Sequence, residues 1–180
     1  MTSIRLDIDD EIYITDSVSE NDIQSWIKYL NNPTIYANTL MIPYPYTQKD
    51  GEAFLETLKS EPRSESSRLF AVRLKENDEL IGACGVYRSE KNERRAEIGY
   101  WLGEPFWHRG LMPKVVKKVI ETMRSTWPNL VRFEALIFSW NKASTRVVEK
   151  CGFVFEGTLR KYYYKDGKDV DAVSYSLIFD

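Results

Sequence analysis

The sequence predicts an α+β domain built on a mixed, mostly antiparallel central sheet flanked by helices. Three observations carry this. Two helical patterns come early, three strand-like runs follow one another through the middle, and a helix, strand, helix and closing strand pair complete the chain. Strands grouped together, with helices before and after them, mark this class. The 180 residues, 43% hydrophobic and 13% aromatic, suffice for one core. A chain of that size buries about 70% of its unfolded surface, so residues 1–180 are read as a single domain.

Each element has a local cause. The acidic start Asp7-Ile8-Asp9-Asp10-Glu11 leads into a first strand, Ile12-Tyr13-Ile14. Ser19 with Asp22 caps a helix that carries Ile23, Trp26, Ile27 and Leu30, and Asn31-Asn32-Pro33 ends it. Thr47 caps a second helix through Ala53, Phe54, Leu55 and Leu58. Residues 60–67, rich in serine and charge, read as a mobile loop. Strand patterns follow at 69–74, 80–87 and 96–102. The first two meet at Glu76-Asn77-Asp78-Glu79 and the next two at 89–93, turns short enough for antiparallel hairpins. Pro113 suits the first turn of a helix, where its missing N–H costs nothing. In that helix Val115, Val116, Val119, Ile120 and Met123 recur at helical spacing. A strand over 131–138 precedes a short helix that Asn141 caps and Gly152 ends in a left-handed conformation. Phe153-Val154-Phe155 restarts a strand, and the Asp166-Gly167 turn leads to a last one at 173–177.

Composition excludes several functions. A net charge of −2 offers no basic face of the density that nucleic acid requires. Cys84 and Cys151 sit in core-facing elements and read as small hydrophobes. Two cysteines make no disulfide framework, so a reducing compartment is expected. One histidine and two cysteines predict no metal site. No apolar run reaches 18 residues and no signal-peptide pattern is present, so no membrane partner and a cytoplasmic location are expected. Nothing in the pattern specifies an oligomeric state.

The segment 97–115 carries the first chemical signal. An apolar strand runs into a glycine-containing turn and then a helix, whose unpaired N–H groups and positive dipole end suit a phosphate. Arg109 precedes Gly110, and Lys114, Lys117 and Lys118 lie in the opening turns. Cations there oppose the dipole by roughly 0.3–1 kcal/mol each unless an anion joins them. The motif is neither a Walker loop nor a dinucleotide fingerprint. Taken alone, the segment leaves open a pyrophosphate turn or an ordinary solvated helix start.

A second segment, Trp140-Asn141-Lys142-Ala143-Ser144 through Glu149-Lys150-Cys151-Gly152-Phe153, narrows this. With Gly99-Tyr100-Trp101-Leu102, Arg109-Gly110, Glu156-Gly157-x-Leu159-Arg160, Asp166-Gly167-x-x-Val170-Asp171 and Ile42-Pro43-Tyr44-Pro45-Tyr46, the chain resembles the GNAT N-acetyltransferases. The likeness is to the branch with ribosomal-protein and small-amine acetyltransferases. The resemblance spans most of the chain and preserves element order. It implies transfer of an acetyl group from acetyl-CoA to a primary amine by direct attack on the thioester. It implies a cofactor site at Trp101, Leu102, Trp107, His108, Arg109, Gly110, Leu111, Met112, Asn141 and Ser144, with strand N–H groups polarising the carbonyl. Two positions depart from the family turn, Trp107 at its first place and Met112 at its last. They motivate the alternative of a catalytically silent acyl-CoA-binding or interaction module.

Candidates for proton transfer come from the strands. Glu97 and Glu134 each sit in an otherwise apolar run, where half-burial raises a carboxyl pKa toward neutrality. The competing reading pairs each with an arginine, Arg95, Arg132 and Arg160 being available. For the acid, Ser144 or one of Tyr162, Tyr163 and Tyr164 is implied. Tyr36, Met41, Tyr44 and Tyr46 with those tyrosines either wall an amine pocket or pack the core. The acceptor stays open among protein N-terminus, amino acid, polyamine and aminoglycoside.

Overall fold

The apolar runs assemble into one eight-stranded sheet in a computed structural model that describes residues 4–60 and 66–180. Its strands are β1 (Arg5–Asp7), β2 (Ile12–Thr15), β3 (Ser67–Leu74), β4 (Leu80–Arg88), β5 (Arg95–Leu102), β6 (Arg132–Phe138), β7 (Val154–Lys165) and β8 (Lys168–Ile178). They lie in the order β1-β2-β3-β4-β5-β6-β8-β7, and every neighbouring pair is antiparallel except β5–β6. The expected mixed, mostly antiparallel sheet is therefore present. The helices are α1 (Ile23–Leu30), α2 (Pro33–Ala37), α3 (Gln48–Ser60), α4 (Leu111–Thr126) and α5 (Lys142–Lys150).

Both faces of the sheet are covered. Val115, Val116 and Val119 of α4 are fully buried against Phe70, Val86 and Phe133, each at roughly 1.5–3 kcal/mol of burial. On the opposite face Trp26 and Leu30 of α1 and Leu55 of α3 pack on Ala71 and Leu80. Cys84 and Cys151 are free thiols in the core, and burial pushes the pKa of both up. Asp22 and Arg73 form a buried ion pair at 2.8 Å that ties the start of α1 to β3.

Two short elements escaped the sequence reading. β1 is three residues of mixed polarity, and its pairing with β2 rather than any pattern defines it. Asn32-Pro33 does end α1, but it also starts α2: the Asn32 side chain accepts from the N–H groups of Thr34 and Ile35, and Pro33 takes the first helical position. Most of the loop expected over 60–67 lies outside the described residues. Among the described residues no helix is long and apolar enough to cross a membrane.

One feature of the sheet positions everything that follows. The parallel β5–β6 ladder stops at Glu97↔Glu134. Beyond it β5 stays paired with β4 to Leu102, and β6 stays paired with β8 to Phe138. The two strands part, and the sheet opens between them.

Candidate active site

The gap exposes strand backbone. Gly103 N–H donates to Ile81 at 2.8 Å, which fixes the alternation along β5. Odd-numbered residues bond to β4, and even-numbered ones face the β6 side. Past the last β5–β6 pair, the N–H and C=O of Tyr100 and the N–H of Leu102 therefore point into the opening. The Leu102 carbonyl is taken by the Trp107 indole N–H at 2.6 Å. Trp107, at one departure from the family turn, thus folds back and ties that turn to the strand end.

The turn delivers α4 with its start beside this edge. Gly110 caps the helix at φ 72°, the left-handed region that glycine adopts without strain. Met112 is buried in the core and packs inward, so its bulk turns away from the helix's open N–H groups. The cationic cluster resolves differently from the expectation. Arg109 pairs with Glu11 at 2.7 Å and Lys114 with Asp9 at 2.7 Å. The anions that balance the helix start include these two carboxylates from the acidic turn between β1 and β2. Arg109 does not line the cleft.

That cleft, a cavity of 460 Å³, lies between the end of β5, the start of α4 and α5. Trp101, Leu102, Trp107, His108, Gly110, Leu111, Met112, Asn141 and Ser144 all line it, as the sequence implied for each. Arg146 and Lys150 line it too, and neither has an ion-pair partner among the described residues. Sequence reading passed over them. Their signal was an i, i+4 pair of cations on the same face as Ala143 and Val147, which also border the cleft.

A second cavity, of 750 Å³, opens on the other side of the gap. The two share Asn38, Thr39, Tyr100, Trp101, Asn141 and Ser144, so they meet at the open stretch of β5. At that junction Asn141 caps α5: its side-chain oxygen accepts from Ser144 N–H at 3.1 Å, and its amide donates to Ser144 Oγ at 3.0 Å. The Tyr100 hydroxyl donates to the Ser144 carbonyl at 2.9 Å, holding α5 on β5.

The two strand carboxylates separate. Glu97 lines the larger cavity, and its side chain has no hydrogen bond or ion pair among the described residues. Its side chain is exposed at the cleft surface, yet the protein packed around it desolvates the carboxyl and raises its pKa, and the neighbouring Glu134 charge adds to that. Gly99 lies two residues on, on the same strand face, and a Cβ there would meet nothing within 4 Å. The space beside Glu97 is thus kept open by absence of a side chain. Glu134 lines neither cavity. Burial works to raise its pKa, but hydrogen bonds from Arg95 at 2.6 Å and Arg132 at 2.5 Å outweigh it, and the carboxyl is held below its usual value. Its arrangement is the arginine-paired one, which makes it a poor proton acceptor. Arg132 also holds Glu156, whose carboxyl is pulled down to about 2.

The aromatic candidates divide as well. Met41, Tyr46, Tyr162 and Tyr163 line the larger cavity. Tyr36, Tyr44 and Tyr164 do not, and Tyr36 instead donates to Asp166 at 2.5 Å. A bulge in β7 between Leu159 and Tyr163, with Lys161 at φ 52°, interrupts the β7–β8 register just where Tyr162 and Tyr163 reach the cavity.

Residues 15–154 match the model of the acetyltransferase (GNAT) domain family, and the chain belongs to that family. Among curated relatives, the uncharacterized N-acetyltransferase YoaA of Bacillus subtilis is 36% identical over 109 residues, 61% of each chain. The L-amino acid N-acetyltransferase AaaT of Escherichia coli is 28% identical over 142 residues, 78% of this chain and 82% of the relative. The chain thus matches a little under two thirds of YoaA's length and more of AaaT's. In three dimensions it superposes on RimL, a ribosomal-protein α-N-acetyltransferase solved with coenzyme A, with a TM-score of 0.85 and 18% identity. That overlay covers 98% of this chain and 99% of RimL, and it establishes a shared fold.

Proposed function

We propose that this chain is an acetyl-CoA-dependent N-acetyltransferase acting on a primary amine. The observation that carries the reading is the meeting of two cavities at an unpaired stretch of strand, with the unpartnered carboxylate of Glu97 on one side only. The smaller cavity fits the cofactor: it offers open strand N–H and C=O groups to an amide-containing arm, the N-terminus of α4, and two unpaired cations. Tyr100 and Leu102 would hold the arm, the turn from His108 to Met112 the pyrophosphate, and Arg146 and Lys150 further phosphate charge. The larger cavity takes the amine.

When bound, acetyl-CoA supplies an activated acyl carbon open to attack by the amine nitrogen. The chain's own residues arrange the rest. Glu97, with its raised pKa and free oxygens, accepts the proton of the incoming ammonium, directly or through a water in the space beside Gly99. Ser144 Oγ accepts from Asn141, which leaves its own hydrogen free to donate at the junction. That help need be only modest, since a leaving thiol of pKa about 8.5 departs readily. Trp107 and Met112, which motivated a silent module, occupy structural positions that obstruct neither cavity.

The test is binding and turnover together. Acetyl-CoA at one hundred times Kd should stabilise the fold by about 2.7 kcal/mol, roughly 5–10 °C in Tm for this size. Mass spectrometry of an amine panel should then show products heavier by one acetyl group. A Tm that does not move at millimolar acetyl-CoA would refute the reading. A normal shift with no acetylated amine would favour the silent module.

A further inference from the structure

We infer that the acceptor cavity selects a primary amine carried on an apolar body without a carboxylate, and turns away free α-amino acids. The inference deepens the transferase reading and rests on it for the orientation of the amine. Its basis is the chemistry of the cavity wall. Among the described residues no Lys, Arg or His lines the 750 Å³ space, while two carboxylates, Glu97 and Asp50, do. The remaining wall is mostly apolar or aromatic, including Leu40, Phe54, Leu69 and Phe138, and its polar members Asn38, Thr39, Asn141 and Ser144 are neutral.

An α-amino acid brings its ammonium and its carboxylate one carbon apart. Seating the ammonium near Glu97 would leave its carboxylate beside an existing negative charge, with no cation on the wall to receive it. A charge that loses water on binding without gaining a partner is disfavoured, and a like charge nearby adds to the penalty. The cation alone meets the opposite situation: an acid at the inner wall, and aromatic rings whose faces favour an ammonium. Asp50 leaves the sign of the field unchanged, being held as an acceptor by Thr47 N–H at 2.8 Å. A cavity of this volume lies within the range of small-molecule sites, about 300–1,000 Å³. It has room for an arylalkylamine.

Three compounds that share one phenylethylamine skeleton isolate the carboxylate: 2-phenylethylamine, L-phenylalaninamide and L-phenylalanine. With acetyl-CoA, kcat/KM for L-phenylalanine should be at least ~100-fold below that for 2-phenylethylamine, the order expected when a charge is left unpaired on binding. L-Phenylalaninamide should stay within about tenfold of 2-phenylethylamine, because its neutral amide carries no charge to bury. In the CoA-bound protein, 2-phenylethylamine should raise Tm and L-phenylalanine should not. Equal turnover of phenylalanine and phenylethylamine, or an equal Tm shift by both, overturns the inference. So does the absence of any shift with 2-phenylethylamine. A selective shift with no acetylation of any compound would leave the cavity's selectivity supported and refute the transferase reading instead.

Discussion

Replacing Glu97 with Gln removes proton acceptance from the inner wall of the acceptor cavity while keeping its shape. A positioned base contributes about 10²–10⁴ in rate, or about 2.7–5.4 kcal/mol of barrier. The structure argues for the upper part of that range. Asp50 already accepts from Thr47, and Glu134 is held by two guanidinium groups, so neither can take over. The acceptor's own ionisation sets the pH dependence. An alkylamine of pKa about 10.4 is neutral in about one molecule in 2,500 at pH 7, and about one in 25 at pH 9. The variant's deficit in kcat/KM should therefore shrink by about 100-fold between those values. Thiol release followed from pH 6 to 9.5 measures it. A deficit that does not change with pH, or full activity at pH 7, would refute Glu97 as the base.

The same substitution carries a stability signature of opposite sign. Burial, with Glu134 adding to it, raises the folded pKa of Glu97. The folded state then holds that proton more tightly than the unfolded one. The resulting stability is full below the unfolded pKa and is lost as pH rises through the folded pKa. At pH 7 the ionised carboxylate is thus a small liability, limited to about 0–1 kcal/mol because it opens to the water of the cleft. Glu97→Gln should melt at the same temperature as the wild type or slightly higher at pH 7, with the difference gone in acid. A rate lost without stability separates this residue from one that merely packs.

Three further outcomes follow from particular contacts. Arg146→Glu with Lys150→Glu should weaken CoA by about 10–150-fold per lost contact, the worth of a charged hydrogen bond, whereas Arg109→Glu, already turned to Glu11, should change CoA affinity little; calorimetric titration at two salt concentrations distinguishes them. Gly99→Ala should raise KM for the amine while leaving CoA affinity and Tm intact, since its Cβ meets only the open cavity; a fall in Tm would show that packing, not ligand space, requires the glycine. Glu156 is held at about 2, first by its hydrogen bond from Arg132 and then by that from Ser176. Its stabilisation is present above the unfolded value of 4.5 and is lost as pH falls toward about 2, so the Tm gap between wild type and Glu156→Gln should close over that window, and a gap persisting at pH 2 would contradict it.

What could be read from the chain, and what could not, follows from the range of the interactions involved. The α4 stripe, the hairpin turns and the Asn141 cap are set by neighbours within a few residues, and each stands where its pattern put it. The smaller cleft, proposed for the cofactor, has walls that were legible for the same reason: they are the end of β5 and the beginnings of α4 and α5, three local signatures that the topology brings together. Charge pairing was legible only as an open alternative, because it is decided across the sheet. Nothing near Arg109 in sequence announces Glu11, 98 residues away, and although Arg95 and Arg132 were available to either carboxylate, nothing local assigns them to Glu134 rather than Glu97. Glu97 and Glu134 have the same local pattern, yet they occupy paired positions at the last rung before the strands part. One rung earlier or later the pair would sit wholly within the ladder or wholly in the gap. At the boundary, one carboxylate turns to the arginines on the sheet and the other is left facing the opening. The asymmetry also ties the two together: keeping Glu134 ionised between Arg95 and Arg132 places a fixed negative charge near Glu97 and helps to hold its proton affinity up. On the proposed reading Glu134 is a positioning charge for Glu97 rather than a base itself. Glu134→Gln should then shift the acidic limb of the rate profile to lower pH with kcat at high pH preserved, and an unshifted limb would break the link between the two carboxylates.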